Sequence, residues 1–123
     1  MPVLVIEEVV LAGEGRAGSP GEYARAAAAV LGSEPGHTWI RRRSLPLEDY
    51  AENEGGPPPG VVPVFVEVLL ADLPPASELA PMAERLASVL AAVCQRPAEH
   101  IHIVFQPAGR GRVAFGGRLV ADG

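Results

Sequence analysis

Hydrophobic and polar positions change their period several times along the chain, and each change marks an element. Residues 3–10, Val-Leu-Val-Ile-Glu-Glu-Val-Val, are rich in β-branched residues and read as a strand. A flexible loop over Ala12–Gly18 follows. Ser19-Pro20 then has the form of a helix start, with Ser19 as N-cap and Pro20 at the first helical position. Tyr23, Ala26, Ala27, Val30 and Leu31 carry that helix to a stop near Gly32, and Pro35-Gly36 is a turn. Thr38–Ser44 reads as a second strand. Leu47–Gly56 is a polar turn segment, and Pro57-Pro58-Pro59-Gly60 a linker. A very apolar strand is expected over Val61–Leu70, then a turn at Leu73-Pro74-Pro75 and a helix over Ser77–Gln95. In that helix Leu79, Met82, Leu86, Val89, Leu90 and Val93 form one stripe at helical spacing. Such a stripe is core. Pro97 ends the helix, His100–Phe105 is a strand, and a Gly-rich turn over 107–117 leads to a short last strand at Arg118–Val120.

The order repeats itself. Pro2 and Pro63, Pro20 and Pro81, Pro46 and Pro107, and Gly55-Gly56 and Gly116-Gly117 are each 61 residues apart. The register slips by about one residue between Pro35 and Pro97. The chain of 123 residues is therefore expected to be one domain over 1–123, made of two βαβ pseudo-repeats at about 2–56 and 63–117. Right-handed crossovers put both helices on one face of one sheet. The fold class expected is α/β (α+β): a four-stranded mixed sheet with two helices on one face. Strands such as Val64-Phe65-Val66 and Ile103-Val104-Phe105 are apolar in both phases, so the second sheet face needs a cover. With no third helix in the pattern, that cover is expected to be another subunit.

Composition narrows the partners. The formal charge is −5, with 15 acidic against 10 basic residues, which argues against nucleic acid or an anionic membrane as partner. All ten basic residues are arginine, whose planar fork suits carboxylates. One cysteine, Cys94, lies in the apolar helix and reads as a small buried hydrophobe. No leader pattern or bilayer-length apolar run is present, so a cytoplasmic location is expected. His100 and His102 lack a clear third ligand and read as structural, so no metal is expected.

Pro2 is the chemical centre of this reading. Met-Pro is a common site of initiator-Met removal, and most such starts are no more than stable termini. If Met1 leaves, the Pro2 nitrogen becomes a secondary amine that can take a proton, held at the head of an apolar strand. An ordinary α-amino group has a pKa of about 7.7–8.0, and burial with nearby cations would push this amine toward a working base.

Pro2-Val3-Leu4-Val5, the duplicated βαβ layout, and Pro97–Phe105 followed by Phe115-Gly116-Gly117 resemble the tautomerase superfamily, which includes 4-oxalocrotonate tautomerase, macrophage migration inhibitory factor and cis-3-chloroacrylic acid dehalogenase. Nearly the whole chain takes part in the resemblance. It implies a homotrimer whose sheets form a barrel inside the helices, and a Pro2 that acts as catalytic base or acid. It also implies arginines that hold a small carboxylate substrate. Pro63 matches by repeat, but its nitrogen is an amide, so three sites per trimer are implied. Where the dehalogenase branch carries arginines after the first strand of the second unit, this chain has Leu70-Ala71-Asp72-Leu73-Pro74. No carboxylate matches the one that activates water in that branch. The resemblance therefore points to proton transfer by a tautomerase-like isomerase with no metal or organic cofactor, and away from hydrolysis.

Arg16 follows the first strand, where shorter tautomerases carry an arginine. Arg41 and Arg43 share one face of the second strand with Trp39, opposite Ile40 and Arg42. They read equally as substrate ligands or as a solvated edge. Arg110, Arg112 and Arg118 flank the Gly-rich turn, with Arg112 the substrate-binding candidate. Trp39, Tyr50 and Phe115 are either packing residues or an apolar wall around a substrate. Two other readings remain open: a non-catalytic trimer of the same fold that binds ligands, and a ferredoxin-like regulatory domain built on the same βαββαβ order.

Overall fold

The computed structural model describes residues 1–121. Strand β1 spans Val3–Val10, helix α1 Pro20–Leu31 and strand β2 Trp39–Pro46. Strand β3 spans Val64–Leu69, helix α2 Ala76–Cys94 and strand β4 Ile101–Phe105. A separate two-stranded hairpin pairs β5 (Ala114–Phe115) with β6 (Arg118–Leu119). Its turn residues Gly116 and Gly117 both have positive φ, at 59° and 83°, as a two-residue hairpin turn requires.

The sheet order is β2-β1-β3-β4. β1 is parallel to β2, β3 is parallel to β4, and β1 and β3 run antiparallel at the centre, with Val3 opposite Leu69 and Glu8 opposite Val64. Each helix thus connects two adjacent strands. A ferredoxin-like arrangement splits its βαβ units around an intervening strand, so that reading is overturned by the strand order.

One face of the sheet carries the core. Leu4, Ile6, Val64, Val66, Val68 and Ile101 pack against Tyr23 and Ala27 of α1 and Leu86, Leu90, Ala91 and Cys94 of α2. Ser19 caps α1 by accepting a hydrogen bond from the Glu22 N–H, with Pro20 in the first turn. The loop after β1 lies directly on α2. Gly18 has φ +74°, and a Cβ there would come within 2.6 Å of Val93 Cγ1, so glycine is required on both counts.

Three details differ from the sequence reading. β3 begins at Val64 rather than Val61, because Pro63 has no N–H to give the ladder and only its carbonyl pairs, with the Val9 N–H. α2 spans Ala76–Cys94 rather than Ser77–Gln95, with Pro81 inside it as the sequence reading had it, while its counterpart Pro20 opens α1. The other sheet face is not uniformly apolar. Val3, Val5, Phe65, Leu69 and Val104 alternate there with Glu7, Glu67, Arg41, Arg43 and His102, as strand periodicity dictates. Trp39 and Val104 on this face are 53% and 59% exposed.

Candidate functional site

The antiparallel β1–β3 pair has two ends, and each places different chemistry beside a proline. At one end Pro2 leads into β1. Its carbonyl accepts a hydrogen bond from the Trp39 N–H at 2.9 Å, which anchors it to the edge strand β2. Met1 precedes it, so the Pro2 nitrogen is here part of a peptide bond. Two cavities meet at Met1. One, of about 290 Å³, is walled by Val3, His37, Trp39, Phe115 and Val120. Its apolar wall is built by the hairpin: the Phe115 ring meets the Trp39 ring edge-on, centroids 5.1 Å apart. The other, of about 250 Å³, is bordered by Pro2, Leu31, Leu70, Ala71, Asp72 and Met82. There Arg110 grips the Asp72 carboxylate through Nε at 2.8 Å and Nη2 at 2.6 Å. Those hydrogen bonds outweigh desolvation and hold the Asp72 carboxyl below its ordinary range. The Arg110 N–H bonds the Ala71 carbonyl and the Gly109 N–H that of Leu70, so the Gly-rich turn is stitched to the end of β3. Gly109 is buried, with the Met1 side chain over it; a Cβ there would lie 2.5 Å from Met1 Cε.

At the other end, beside Pro63, lies a buried charge network. Glu8 continues the inward phase of Leu4 and Ile6, and Arg42 that of Ile40, so a carboxylate and a guanidinium face the helices side by side. Their side chains are 1% and 7% exposed. Arg42 binds Glu8 bidentately, Nε to Oε1 at 2.7 Å and Nη2 to Oε2 at 3.0 Å. Its remaining donors hold the loop carbonyls of Ala17 and Gly18. The Tyr23 hydroxyl donates to Glu8 Oε2 at 2.7 Å, and the guanidinium lies over its ring. Burial alone would raise the Glu8 carboxyl. The hydrogen bonds from Arg42 and Tyr23, with the charges of Arg42 and Arg96, outweigh it and keep the group below its ordinary range. Burial, and then the bond to Glu8, push the Tyr23 hydroxyl up, so it stays a donor.

The residues singled out from sequence divide between these places. Trp39 and Phe115 stand at the Pro2 end. Arg16 stands at the opposite end, 3.8 Å from Glu8. Arg41 and Arg43 project from the outer face of β2, with Arg43 paired to Glu7 at 3.1 Å. Tyr50 packs on Phe65 and donates to Glu52, four rungs along β3 from the Val3–Leu69 pair. Arg112 spends its donors on the carbonyls of Pro107 and Ala108. His100 borders the cavity beside Glu8, while His102 packs on Phe65 on the outer face. The expected cluster of arginines around Pro2 therefore does not form within one protomer. Sequence reasoning passed over Glu8, Tyr23, Arg42, Asp72 and Arg96. For the first three a signal existed: charges in the inward phase of two strands, beside a tyrosine on the buried face of α1.

No family model and no curated protein sequence matches the chain. Solved structures do. A fused 4-OT symmetric trimer is 12% identical and superposes with a TM-score of 0.74 over 96% of this chain and 94% of that one. Pt0534, inactivated by 2-oxo-3-pentynoate, is 9% identical with a TM-score of 0.73, over 96% and 94%. Macrophage migration inhibitory factor of Toxoplasma gondii is 15% identical with a TM-score of 0.65, over 95% and 98%. With a β2-β1-β3-β4 sheet, two helices on one face and these likenesses across almost its full length, the chain has the tautomerase-superfamily fold.

Proposed function

We propose that this chain is a cofactor-independent isomerase that moves a proton in a small 2-oxo or unsaturated carboxylic acid. Pro2 is its general base once Met1 is removed, and the working unit is a homotrimer. The observation that carries this reading is the position of Pro2: it heads a central strand where two largely apolar cavities meet, one of them bordered by the Asp72 carboxylate, with Met1 lining both. Loss of Met1 joins the two spaces and turns an amide into an amine. In ketonisation of an enol, the amine takes the hydroxyl proton and its ammonium form returns one to carbon. One proton leaves and one arrives, so the step needs no redox partner. Trp39 and Phe115 offer an apolar wall for the substrate's side chain. Arg16, Arg41 and Arg43 stand away from their own Pro2, so a carboxylate-binding role for them requires a neighbouring protomer to bring them there. The mixed outer sheet face, with Trp39 and Val104 exposed, is the surface proposed to meet it. Fused 4-OT, whose fold the chain shares, is a trimer.

A non-catalytic binding role is favoured by one observation. Among the described residues, the charged groups beside Pro2 within the protomer are the paired Asp72 and Arg110, which supply no net positive charge to depress an amine. Ketonisation of phenylpyruvate enol by the purified trimer separates the two. The enzyme reading expects turnover that falls severalfold or more in Pro2→Ala; a trimer without turnover would leave the binding role.

A further inference from the structure

We propose a second ligand site: a pocket for a small carboxylate at the Pro63 end of the β1–β3 pair, distinct from the cavities around Pro2. A cavity of about 330 Å³ opens there between the loop after β1 and the C-terminal end of α2. Gly15, Arg16 and Ala17 form one wall, Cys94–Pro97 another, and Gly60 and Val62 the linker side. The space is preformed. Arg42 ties the Ala17 and Gly18 carbonyls to the sheet, and Gly18 presses on Val93, so the loop wall is held from both sides.

The charges at this pocket exceed what the fold consumes. Glu8 is matched by its bidentate partner Arg42, and Tyr23 donates to it as well. Two further guanidiniums, Arg16 and Arg96, line the space. Arg16 lies 3.8 Å from a carboxylate that is already satisfied, and is itself 39% exposed. Arg96 is half-buried and is oriented by Nη1 donating to the Val62 and Pro63 carbonyls. Among the described residues its Nε and Nη2 carry no hydrogen bond. The lining holds two guanidiniums and two carboxylates, Glu8 and the exposed Glu14; since Arg42, outside the lining, already matches Glu8, the balance is one positive charge. A partly buried arginine with free donors, backed by a second cation, binds a planar carboxylate well. The Pro63 nitrogen above this pocket is an amide within the chain and takes no proton, so the site binds without catalysing. This inference does not depend on Pro2 being a base.

Amide NMR titration of the full chain with succinate tests it, with inorganic phosphate as a parallel arm. The expected result is saturable shifts at Gly15, Ala17, Gly60 and Gln95, and weaker or absent saturation with phosphate. Arg96→Gln should weaken succinate about tenfold or more, the effect of losing a charged hydrogen bond. Because Arg96 also props the linker carbonyls, Arg16→Gln, an exposed change, is measured beside it and should weaken binding severalfold. Phosphate binding more tightly than succinate would replace the carboxylate assignment. Shifts confined to Gly109, Asp72 and Val120, or affinity untouched by both variants, would overturn the site.

Discussion

The Pro2 and Pro63 ends of the central strand pair stand in the same relation to the sheet, yet one holds a chain start and the other a charge network. Pro2 precedes β1 and is anchored through one carbonyl. Pro63 precedes β3, is buried, and sits over a carboxylate with three arginines in reach. The potential base and the anion-binding groups have thus been placed at opposite ends of one protomer. A buried pair such as Glu8–Arg42 costs desolvation that its attraction only partly offsets. What it secures here is position: it fixes the loop wall and sets β2 against β1. Among the described residues the Pro2 end shows no buried network of this kind, and the Asp72–Arg110 ion pair there is exposed.

The largest expected effect comes from breaking the buried end. Glu8→Gln leaves the Arg42 guanidinium buried without a counter-charge, and should cost about 3–5 kcal/mol. Urea unfolding reads this directly, and a loss below about 1 kcal/mol would mean the network is solvated. Acid should act on the same group. The folded Glu8 carboxyl titrates below its unfolded value, so its contribution is full above about pH 4.3 and fades as pH falls through the lower folded value. The wild-type urea midpoint should therefore drop below about pH 4 more steeply than that of Glu8→Gln. Parallel curves would remove Glu8 from the acid response. The smallest stability effect is expected at the other end. Asp72→Asn breaks an exposed pair and should leave the urea midpoint unchanged within error. If Pro2 is the base, removing that carboxylate takes away a negative charge that favours the ammonium, and the acidic limb of the pH–rate profile should move to lower pH. An unmoved limb would separate Asp72 from Pro2.

Much of the fold was legible because local signals and global pattern agree. The Ser19-Pro20 cap, the stripe through Leu86 and Leu90, and the paired prolines all point to two βαβ units. The candidate site was less so. Arg16 follows β1 closely in sequence, but β1 carries it the whole length of the sheet away from Pro2, and only the antiparallel register with β3 says what replaces it there: Asp72. Arg42 was set aside as the inward residue between Arg41 and Arg43, although inward charge is what marks a structural or binding role. Its partner Glu8 is identical in type to the outward Glu7, and only strand phase tells them apart.

The central claim is that a free Pro2 amine moves the proton. Its most direct measurement compares two forms of the chain at equal oligomer content, established by light scattering and by mass. One begins at Pro2; the other keeps a residue before it, so that the nitrogen is an amide. The account predicts phenylpyruvate enol turnover by the first form and its loss, by about a hundredfold or more, in the second, the scale of removing a general base. Equal turnover by the two forms would contradict it.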